Sequence, residues 1–165
     1  MTKFKKDYKK TDERIGNIVM YDHSLPDCII TDLDGTLSLM NGRCPLSGEN
    51  CGSDLLNPPV MTILDMYQES KGEDDKIIIF SGRKGETRKE TEMWLDANGI
   101  DYDEMHMRGI GGKNNENDAV LKENLYNEHI KGKYNVKFVL DDRTQVVKLW
   151  RSLGLPCFQV YWGDF

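Results

Sequence analysis

The sequence predicts an α/β fold, namely a doubly wound, mostly parallel Rossmann-like sheet with helices on both faces and a minimal cap. Five apolar runs alternate with four helix patterns, and polar residues capable of chemistry follow several of the runs. Continuous apolar runs are typical of strands that helices cover on both faces, and the alternation favours parallel strands joined by right-handed crossovers. A chain of 165 residues is long enough for one such domain.

The predicted strands are short, apolar and partly β-branched, as expected of a central sheet. They cover residues 28–31, 77–80, 105–107, 136–140 and 157–161. Parallel strands place their carboxyl ends along one edge of the sheet, which is where such sheets bind their ligands. We therefore expect the polar residues that follow these strands to share one site.

The helix patterns have apolar residues at helical spacing over about residues 58–72, 87–99, 120–130 and 144–153. Glycine follows three of them, at Gly72, Gly99 and Gly154. Because glycine adopts the left-handed conformation without strain, we expect each of these glycines to end its helix in that conformation.

Residues 27–165 are predicted to form the domain, with a short flap at 38–57, and residues 1–26 a basic, partly mobile N-terminal segment with a short strand at 17–21. No apolar run approaches the roughly 18 residues of a membrane span, and the charged start lacks the apolar core of a signal peptide. We expect no contact with membranes and a cytoplasmic protein. The four cysteines lack Cys-x-x-Cys spacing, which favours incidental thiols over a zinc site.

Two carboxylates, Asp32 and Asp34, directly follow the first predicted strand and are followed by a Gly-Thr turn. Like charges this close are costly unless a cation lies between them, and oxygen ligands favour a hard ion such as Mg²⁺. An acidic turn that caps a helix is the structural alternative. A calcium loop does not fit, because its twelfth position is Arg43 instead of a bidentate glutamate.

Further candidates follow the second and fourth predicted strands and lie on the third helix. Each has an ordinary interpretation when taken alone, either as a polar turn or as a surface ion pair. Together with Asp32 and Asp34 they place the two acidic pairs, a further aspartate, a lysine and two arginines at one sheet edge, where an acidic cluster needs a metal and basic partners. The additional residues are Ser81, Arg83, Asp118, Lys122, Asp141, Asp142 and Arg143.

In this order the residues resemble the four motifs of the haloacid dehalogenase superfamily of phosphatases, namely Asp32-x-Asp34-Gly-Thr, Ser81, Lys122 and Asp141-Asp142. Residues 27–165 are similar to the 3′-phosphatase domain of phage polynucleotide kinase/phosphatase. That similarity includes Met-Asn-Gly-Arg at 40–43 and Leu-Asp-Asp-Arg-Thr-Gln-Val-Val at 140–147. The resemblance implies the haloacid dehalogenase variant of the predicted fold.

The resemblance also implies a role for each matched residue. Asp32 would be the nucleophile that forms an aspartyl-phosphate, and Asp34 would be the general acid and base. Ser81 and Lys122 would bind the transferring phosphoryl group. The Mg²⁺ ion would be held by Asp32, the backbone carbonyl of Asp34, and one or both of Asp141 and Asp142, and the substrate would be gripped or oriented by Arg43, Arg83 and Asp118.

The implied activity is removal of a 3′-phosphate from a DNA or RNA end or from a nucleoside 3′-phosphate. A short flap leaves the site open to a chain end, whereas the net charge of −6 disfavours a broad nucleic-acid footprint. The charge favours the alternative, a small-molecule nucleotidase or sugar phosphatase of the same superfamily. A Mg²⁺-binding receiver module is a further alternative, but it phosphorylates an aspartate after its third strand, where this chain has Arg108.

The sequence does not decide which partners the protein has beyond its substrate. A homodimer is one possibility, and a separate kinase or ligase is another.

Tyr161 and Trp162, at the end of the last predicted strand, are assigned to packing in the core or at its rim, because aromatic side chains mainly pack. Stacking on a nucleic-acid base is the alternative for these two residues.

Overall fold

The computed structural model describes residues 19–43, 49–111 and 117–163, and within them the predicted fold class is confirmed. The five predicted strands of the sheet and the four predicted helices are present, with ends that differ by a few residues. The strands are β1 (Asp27–Asp32), β2 (Ser38–Leu39), β3 (Leu55–Leu56), β4 (Lys76–Lys84), β5 (Glu104–Arg108), β6 (Asn135–Arg143) and β7 (Cys157–Gly163). The helices are α1 (Pro58–Ser70), α2 (Arg88–Ala97), α3 (Asp118–His129) and α4 (Thr144–Ser152).

The central sheet has the strand order β5-β4-β1-β6-β7, and all neighbouring strands in it are parallel. The chain runs from β1 through β4 to β5 on one side, and then returns to place β6 and β7 on the other side of β1. The direction of winding therefore reverses between β1 and β6. The carboxyl ends of the two strands at such a reversal flank a crevice, which is where sheets of this type bind ligands.

Alternate side chains of β1 belong to two different hydrophobic clusters, one on each face of the sheet. Cys28 and Ile30 pack in the cluster that contains residues of α3 and α4, including the fully buried Trp150. Ile29 packs in the cluster that contains residues of α1 and α2, including Leu64. Burial of each such side chain contributes roughly 1.5–3 kcal/mol, so the sheet edge that carries the polar residues rests on a rigid base.

The predicted flap contains a second, antiparallel sheet of two strands, β2 and β3, and a short 3₁₀ helix at Cys51–Ser53. Residues 44–48 of the flap lie outside the described part of the chain. The flap joins α1 at Asn57, whose side chain donates a hydrogen bond of 2.7 Å to the carbonyl oxygen of Thr36. This contact fixes the far end of the flap to the turn that follows β1.

Two of the three glycines that were predicted to end helices do so in the left-handed conformation, Gly99 with φ of 65° and Gly154 with φ of 79°. The prediction for Gly72 is wrong, because α1 already ends at Ser70. The next residue, Lys71, has an extended backbone and donates its N–H to Tyr67 O at 2.8 Å. A second correction concerns the predicted strand at 17–21. Residues 19–21 form no strand, while 17 and 18 lie outside the described residues.

Residues 1–18, on which most of the prediction of a mobile N-terminal segment falls, lie outside the described chain. Within the described ranges, no helix combines the length and the apolar character that a crossing of the bilayer requires. Cys28, Cys51 and Cys157 are buried free thiols, and Cys44 falls outside the described residues.

Candidate active site

Three carboxylates from two neighbouring strands meet at the carboxyl edge of the sheet. Thr31 of β1 is paired with Leu140 of β6, so the residues that follow them, Asp32 and Asp141, lie side by side. Asp32, Asp141 and Asp142 each have an oxygen atom that lies within 4.8 Å of those of the other two. All three residues are buried. The reversal of winding between β1 and β6 thus brings the two acidic pairs of the sequence to one point.

A buried lysine on helix α3 compensates part of this negative charge. Lys122 Nζ of α3 donates to Asp32 Oδ1 at 2.6 Å and to Asp141 Oδ2 at 3.0 Å, and lies 3.6 Å from Asp118 Oδ2. Burial lowers the pKa of Lys122, but the charges of Asp141, Asp32 and Asp118 outweigh it and hold the pKa well above its usual value. The lysine is therefore a fixed cation at the centre of the acidic group.

One lysine does not neutralise the cluster. Burial, followed by the nearby charges of Asp141 and Asp118, raises the pKa of Asp32 well above its usual value despite the opposing effect of Lys122. Burial and the charge of Asp141 likewise raise the pKa of Asp142 to about 6. The charged forms of both groups are thus disfavoured, and a cation bound between them would stabilise the ionised carboxylates.

The Gly-Thr turn after β1 brings the backbone against Asp142. Gly35 has a φ of 86°, and a Cβ atom added to it would lie 2.3 Å from Asp142 Oδ2. Only glycine meets both conditions, because other residues are strained at this φ and have no room for a side chain. The hydroxyl of Thr36, which is fully buried, lies 3.4 Å from Asp142 Oδ1 and 3.5 Å from Asp32 Oδ2 and links the two strands.

Asp34 faces a second, basic group of side chains. Arg83 Nη2 donates to Asp34 Oδ1 at 2.6 Å, and Arg83 Nε lies 3.0 Å from Asp34 Oδ2. Arg43 of the flap also donates from Nη2 to Asp34 Oδ1. The carboxylate of Asp34 is therefore held between two guanidinium groups and does not belong to the group of Asp32, Asp141 and Asp142. Among the predicted metal ligands, Asp34 can thus contribute its backbone carbonyl, as the resemblance implies.

A buried aspartate that the sequence did not single out holds the two arginines together. Asp54 Oδ2 accepts from Arg43 Nη2 at 2.6 Å, from Arg83 Nη2 at 3.0 Å and from Ser38 Oγ at 2.7 Å. Burial raises the pKa of Asp54, but the hydrogen bonds from Arg43 and Ser38 outweigh it and hold the pKa below its usual value. The only signal in the sequence is a lone aspartate before an apolar pair, which is also typical of an ordinary turn.

Ser81 and Asp118 lie at the end of β4 and the start of α3. Ser81 is fully buried, and its Oγ accepts a hydrogen bond from Arg83 N at 3.2 Å. Asp118 packs against Gly82, the residue between Ser81 and Arg83. A Cβ atom on Gly82 would lie 2.5 Å from Asp118 Oδ1. Asp118 therefore lies against a point of β4 that has no side chain, while Lys122 is its neighbour one turn further along α3. The structure thus places Ser81, Arg83, Asp118 and Lys122 at the same sheet edge.

The donor set fits a hard divalent cation. The three clustered carboxylates offer oxygen ligands only, which suits Mg²⁺ in preference to a soft transition metal. With Asp118 they form four acidic groups around the single ammonium group of Lys122, so a dication would bring the charge close to balance. Asp118 also has a basic neighbour on β6, because Arg143 Nη1 lies 3.7 Å from Asp118 Oδ2.

Comparison with known proteins identifies relatives that share this site region. Residues 26–165 match the family model described as the phosphatase domain of polynucleotide kinase PNKP. The chain is 32% identical over 157 residues to a putative bifunctional polynucleotide kinase/RNA ligase of Autographa californica nuclear polyhedrosis virus. This alignment covers 92% of the chain but only 22% of the viral protein.

Two solved structures have the same fold. A chain in the structure of the Pnkp1/Rnl/Hen1 RNA repair complex is 47% identical, with a TM-score of 0.81 over 90% of this chain and 46% of that one. A second structure of a Pnkp1/Rnl/Hen1 complex is 48% identical, with a TM-score of 0.81 over 87% of this chain and 49% of that one. The chain thus spans about half the length of these solved relatives and less than a quarter of the viral one.

Proposed function

This chain belongs to the family of polynucleotide kinase PNKP phosphatase domains, and from that membership we propose that it is a Mg²⁺-dependent phosphatase that removes the 3′-phosphate from polynucleotide ends. The observation that carries the proposal is the convergence of Asp32, Asp141, Asp142 and Lys122 at one sheet edge. A nucleophilic carboxylate beside a charge-compensated cation site is what phosphoryl transfer through an aspartyl-phosphate requires.

Asp32, Asp141 and Asp142, with the backbone carbonyl of Asp34, are the groups that would hold Mg²⁺. When bound, the ion neutralises the negative charge of the phosphate and so lowers the barrier to attack by an anion. Lys122 supports the same task from the protein side, because its ammonium group is already fixed 2.6 Å from the oxygen of Asp32. Ser81, at the end of β4, is the residue that we assign to the phosphoryl oxygens together with Lys122.

The first chemical step forms one bond and breaks another. A carboxylate oxygen of Asp32 attacks the phosphorus atom, the bond between phosphorus and the 3′-oxygen breaks, and Asp34 donates a proton to the departing 3′-oxygen. In the second step a water molecule attacks the aspartyl-phosphate. Asp34 accepts the proton of that water, and inorganic phosphate leaves with Asp32 restored.

The proton-transfer role of Asp34 requires a change in its contacts. Arg43 and Arg83 both donate to Asp34, so its carboxylate is engaged by two guanidinium groups. An incoming phosphate offers these guanidinium groups a second anion. We infer that at least one arginine moves from Asp34 to the substrate, which frees the Asp34 side chain to contact the departing 3′-oxygen.

The preference for a chain end rests on the small size of the flap and on the relatives. The described residues of the flap form a two-stranded sheet of four paired residues and a short 3₁₀ helix instead of a separate lid domain, and we infer that this leaves a path to Asp32 for a phosphate at the end of a long chain. The relatives include a putative polynucleotide kinase/RNA ligase and a chain of an RNA repair complex. We infer that this chain likewise acts on nucleic-acid ends, with a kinase or ligase activity as its functional partner.

Turnover of matched oligonucleotides tests the proposal. The same DNA and RNA hexamers are prepared with a phosphate at the 3′ end or at the 5′ end and incubated with the protein and Mg²⁺, and phosphate release is measured. We expect release from the 3′ end to be at least about a hundredfold faster, with no release by the Asp32→Asn variant. Equal rates at the two ends, or no turnover at the 3′ end, would contradict it.

A small-molecule nucleotidase or sugar phosphatase is the second candidate, and the net charge of −6 is the observation that favours it. Long-range repulsion slows the approach of a polyanion but has little effect on a small phosphate ester. A panel of nucleotides and sugar phosphates separates the two candidates. A kcat/KM on one of these small esters that exceeds the value for the 3′-phosphorylated hexamer would support this second candidate.

A further inference from the structure

Tyr161 and Trp162 are two large aromatic side chains that are exposed near the candidate active site. Their exposed fractions are 74% and 75%, whereas the other two tryptophans, Trp94 and Trp150, are buried at 3% and 0%. The expectation that Tyr161 and Trp162 pack in the core or at its rim is therefore wrong, because three quarters of each side chain is exposed. Two adjacent aromatic side chains left in water are typical of a surface that binds something apolar or flat.

The strand that carries them departs from regular pairing at this point. Asp141 of β6 is paired with Gln159 of β7, whereas Arg143 is paired with Gly163, so β7 advances from 159 to 163 while β6 advances from 141 to 143. This bulge lies on an edge strand. Bulges at edges next to active sites turn side chains away from the direction that the regular ladder would impose. The bulge thus accounts for two successive aromatic residues that are both exposed.

Both ends of the bulge are fixed to Asp142. A Cβ atom on Gly163 would lie 2.6 Å from Asp142 Oδ2, which shows how closely the backbone approaches the acidic group. At the other end, Gln159 Nε2 donates to the carbonyl oxygen of Asp142 at 2.9 Å. The Cα atom of Trp162 is about 3.8 Å from that of Gly163, so Trp162 is the chain neighbour of the residue that touches the carboxylate cluster. The aromatic residues are therefore neighbours of the reaction centre.

We propose that Tyr161 and Trp162 form a stacking platform for the bases of the substrate strand, next to the nucleotide whose 3′-phosphate meets Asp32. This inference rests on the proposed function and deepens it, because it identifies the substrate as a single-stranded end whose bases are free to stack. Stacking on an aromatic ring accepts every base, since every base has a π face. It also supplies affinity for a polyanion that a chain with a net charge of −6 does not gain from long-range attraction.

Kinetics on two substrates test the platform. The Trp162→Ala variant is assayed with a 3′-phosphorylated hexanucleotide and with p-nitrophenyl phosphate, which has no base. We expect kcat/KM for the hexanucleotide to fall about tenfold more than kcat/KM for p-nitrophenyl phosphate, mainly through KM. Trp162→Phe keeps an aromatic face and should recover most of the loss. Phe158→Ala is the matched control, because Phe158 is an aromatic residue of the same strand, 60% exposed, outside the bulge.

Abasic substrates make the test specific for stacking. Replacing the bases next to the 3′-phosphate with abasic residues should raise KM about tenfold for the natural protein and have little further effect on the Trp162→Ala variant. Binding of the intact strand to the Asp32→Asn variant should also quench tryptophan fluorescence. Trp162 is the single exposed tryptophan of the three in the chain, so it dominates this signal.

The outcomes separate this inference from the proposed function. Absence of turnover on every 3′-phosphorylated oligonucleotide by the natural protein would refute the function itself. Efficient turnover, combined with equal losses on both substrates for Trp162→Ala or with full activity on abasic strands, would refute only the platform. A Trp162→Ala variant with an unchanged KM that no longer self-associates would assign the two aromatic residues to a contact between protein copies and would also overturn the platform.

Discussion

Asp32 lies between Lys122 and the other carboxylates that we propose as metal ligands, so its substitution separates chemistry from folding. The amide of Asp32→Asn cannot attack phosphorus, yet it has the same size and can still contact Lys122 Nζ, which lies 2.6 Å from Asp32 Oδ1. We expect kcat to fall by at least about a thousandfold while the circular dichroism spectrum and the melting temperature are retained. Appreciable phosphate release by the folded variant would exclude Asp32 as the nucleophile.

Gly82 tests whether the position of Asp118 matters. A Cβ atom on Gly82 would lie 2.5 Å from Asp118 Oδ1, so Gly82→Ala must displace the carboxylate that neighbours Lys122. We expect a loss of about tenfold in kcat/KM on the 3′-phosphorylated hexamer, because small displacements of charged groups are costly in such a site. Gly109→Ala is the control, since a Cβ atom there meets nothing within 4 Å. Equal activity of the two variants would show that Asp118 tolerates displacement.

Asp54 links the flap to the body of the protein through charge. Its side chain is fully buried, as is that of Arg83, and that of Arg43 is 4% exposed. Asp54→Asn would leave two buried guanidinium groups with Asp34 as their remaining carboxylate, so we expect a loss of about 3 kcal/mol in the free energy of unfolding and a higher KM. Asp65→Asn, at an exposed position of α1, is the control in urea titrations. A loss no larger than that of the control would contradict the linking role.

At the scale of elements, the strands and helices could be predicted because their signals are local. An apolar run such as Ile77–Phe80 is buried wherever it pairs, and a helix pattern ends where glycine adopts the left-handed conformation, as at Gly99. Gly72 fails as a signal because α1 already ends at Ser70, before the extended Lys71. Residues that a parallel sheet brings to one edge, such as Asp32 and Asp141, could likewise be placed together from topology.

The contacts of the flap could not be predicted, because they join residues far apart in sequence. Asp54 meets Arg83 across 29 positions, and this contact depends on how the flap closes over the end of β4. The bulge that exposes Trp162 has a similar origin. It arises from the pairing of β7 with β6, and no pattern in the residues of β7 alone reveals that register.

The contact between β5 and the end of α3 makes stability depend on pH. The rings of His106 and His129 are stacked with centroids 3.8 Å apart, and Glu104 Oε2 lies 2.9 Å from His106 Nε2. Burial, then the charge of His106, lowers the pKa of His129, and Lys133 adds to this while Glu128 and Glu104 oppose it. The unfolded chain therefore binds the proton of His129 at a higher pH than the folded chain does.

His129 therefore lowers the free energy of unfolding as the pH falls below about 6.5, the usual pKa of histidine. His129→Phe keeps a flat ring without a charge, so its unfolding free energy should fall less between pH 7.5 and pH 5.5 than that of the natural protein. Urea titrations at the two pH values measure the difference. His23→Phe is the control, because His23 is an exposed histidine that lies outside this contact. Identical pH dependence of the natural protein and His129→Phe would refute the effect.

At the scale of the whole molecule, an acidic protein is proposed to bind a polyanion. The net charge of −6 extends to the candidate site, where Lys122, Arg83 and Arg43 are paired with carboxylates. The Mg²⁺ ion proposed for this edge would add positive charge at short range, and such a charge acts on one terminal phosphate more than on the length of a strand, because exposed charges are screened beyond roughly 8–10 Å at physiological salt. The proposed site would therefore favour recognition of an end over recognition of a backbone.

The proposed metal site would also couple metal binding to global stability. Burial and the charge of Asp141 raise the pKa of Asp142 to about 6, so at pH 7.5 the folded protein holds an anion that it disfavours. Mg²⁺ that binds only the folded state should raise the melting temperature by several degrees when it is present at about a hundredfold its Kd. EDTA should reverse the rise.

The Asp142→Asn variant separates this coupling from a general salt effect. Without metal the variant should be more stable than the natural protein by about 2 kcal/mol, because the amide removes one buried like charge, and Mg²⁺ should then raise its melting temperature much less. Asp96→Asn, at an exposed position of α2, should respond to Mg²⁺ as the natural protein does. Thermal melts at pH 7.5 with Mg²⁺, Na⁺ and EDTA measure all three proteins. An equal Mg²⁺ response in Asp142→Asn would place the metal away from the cluster, and the catalytic assignment of this sheet edge would fall with it.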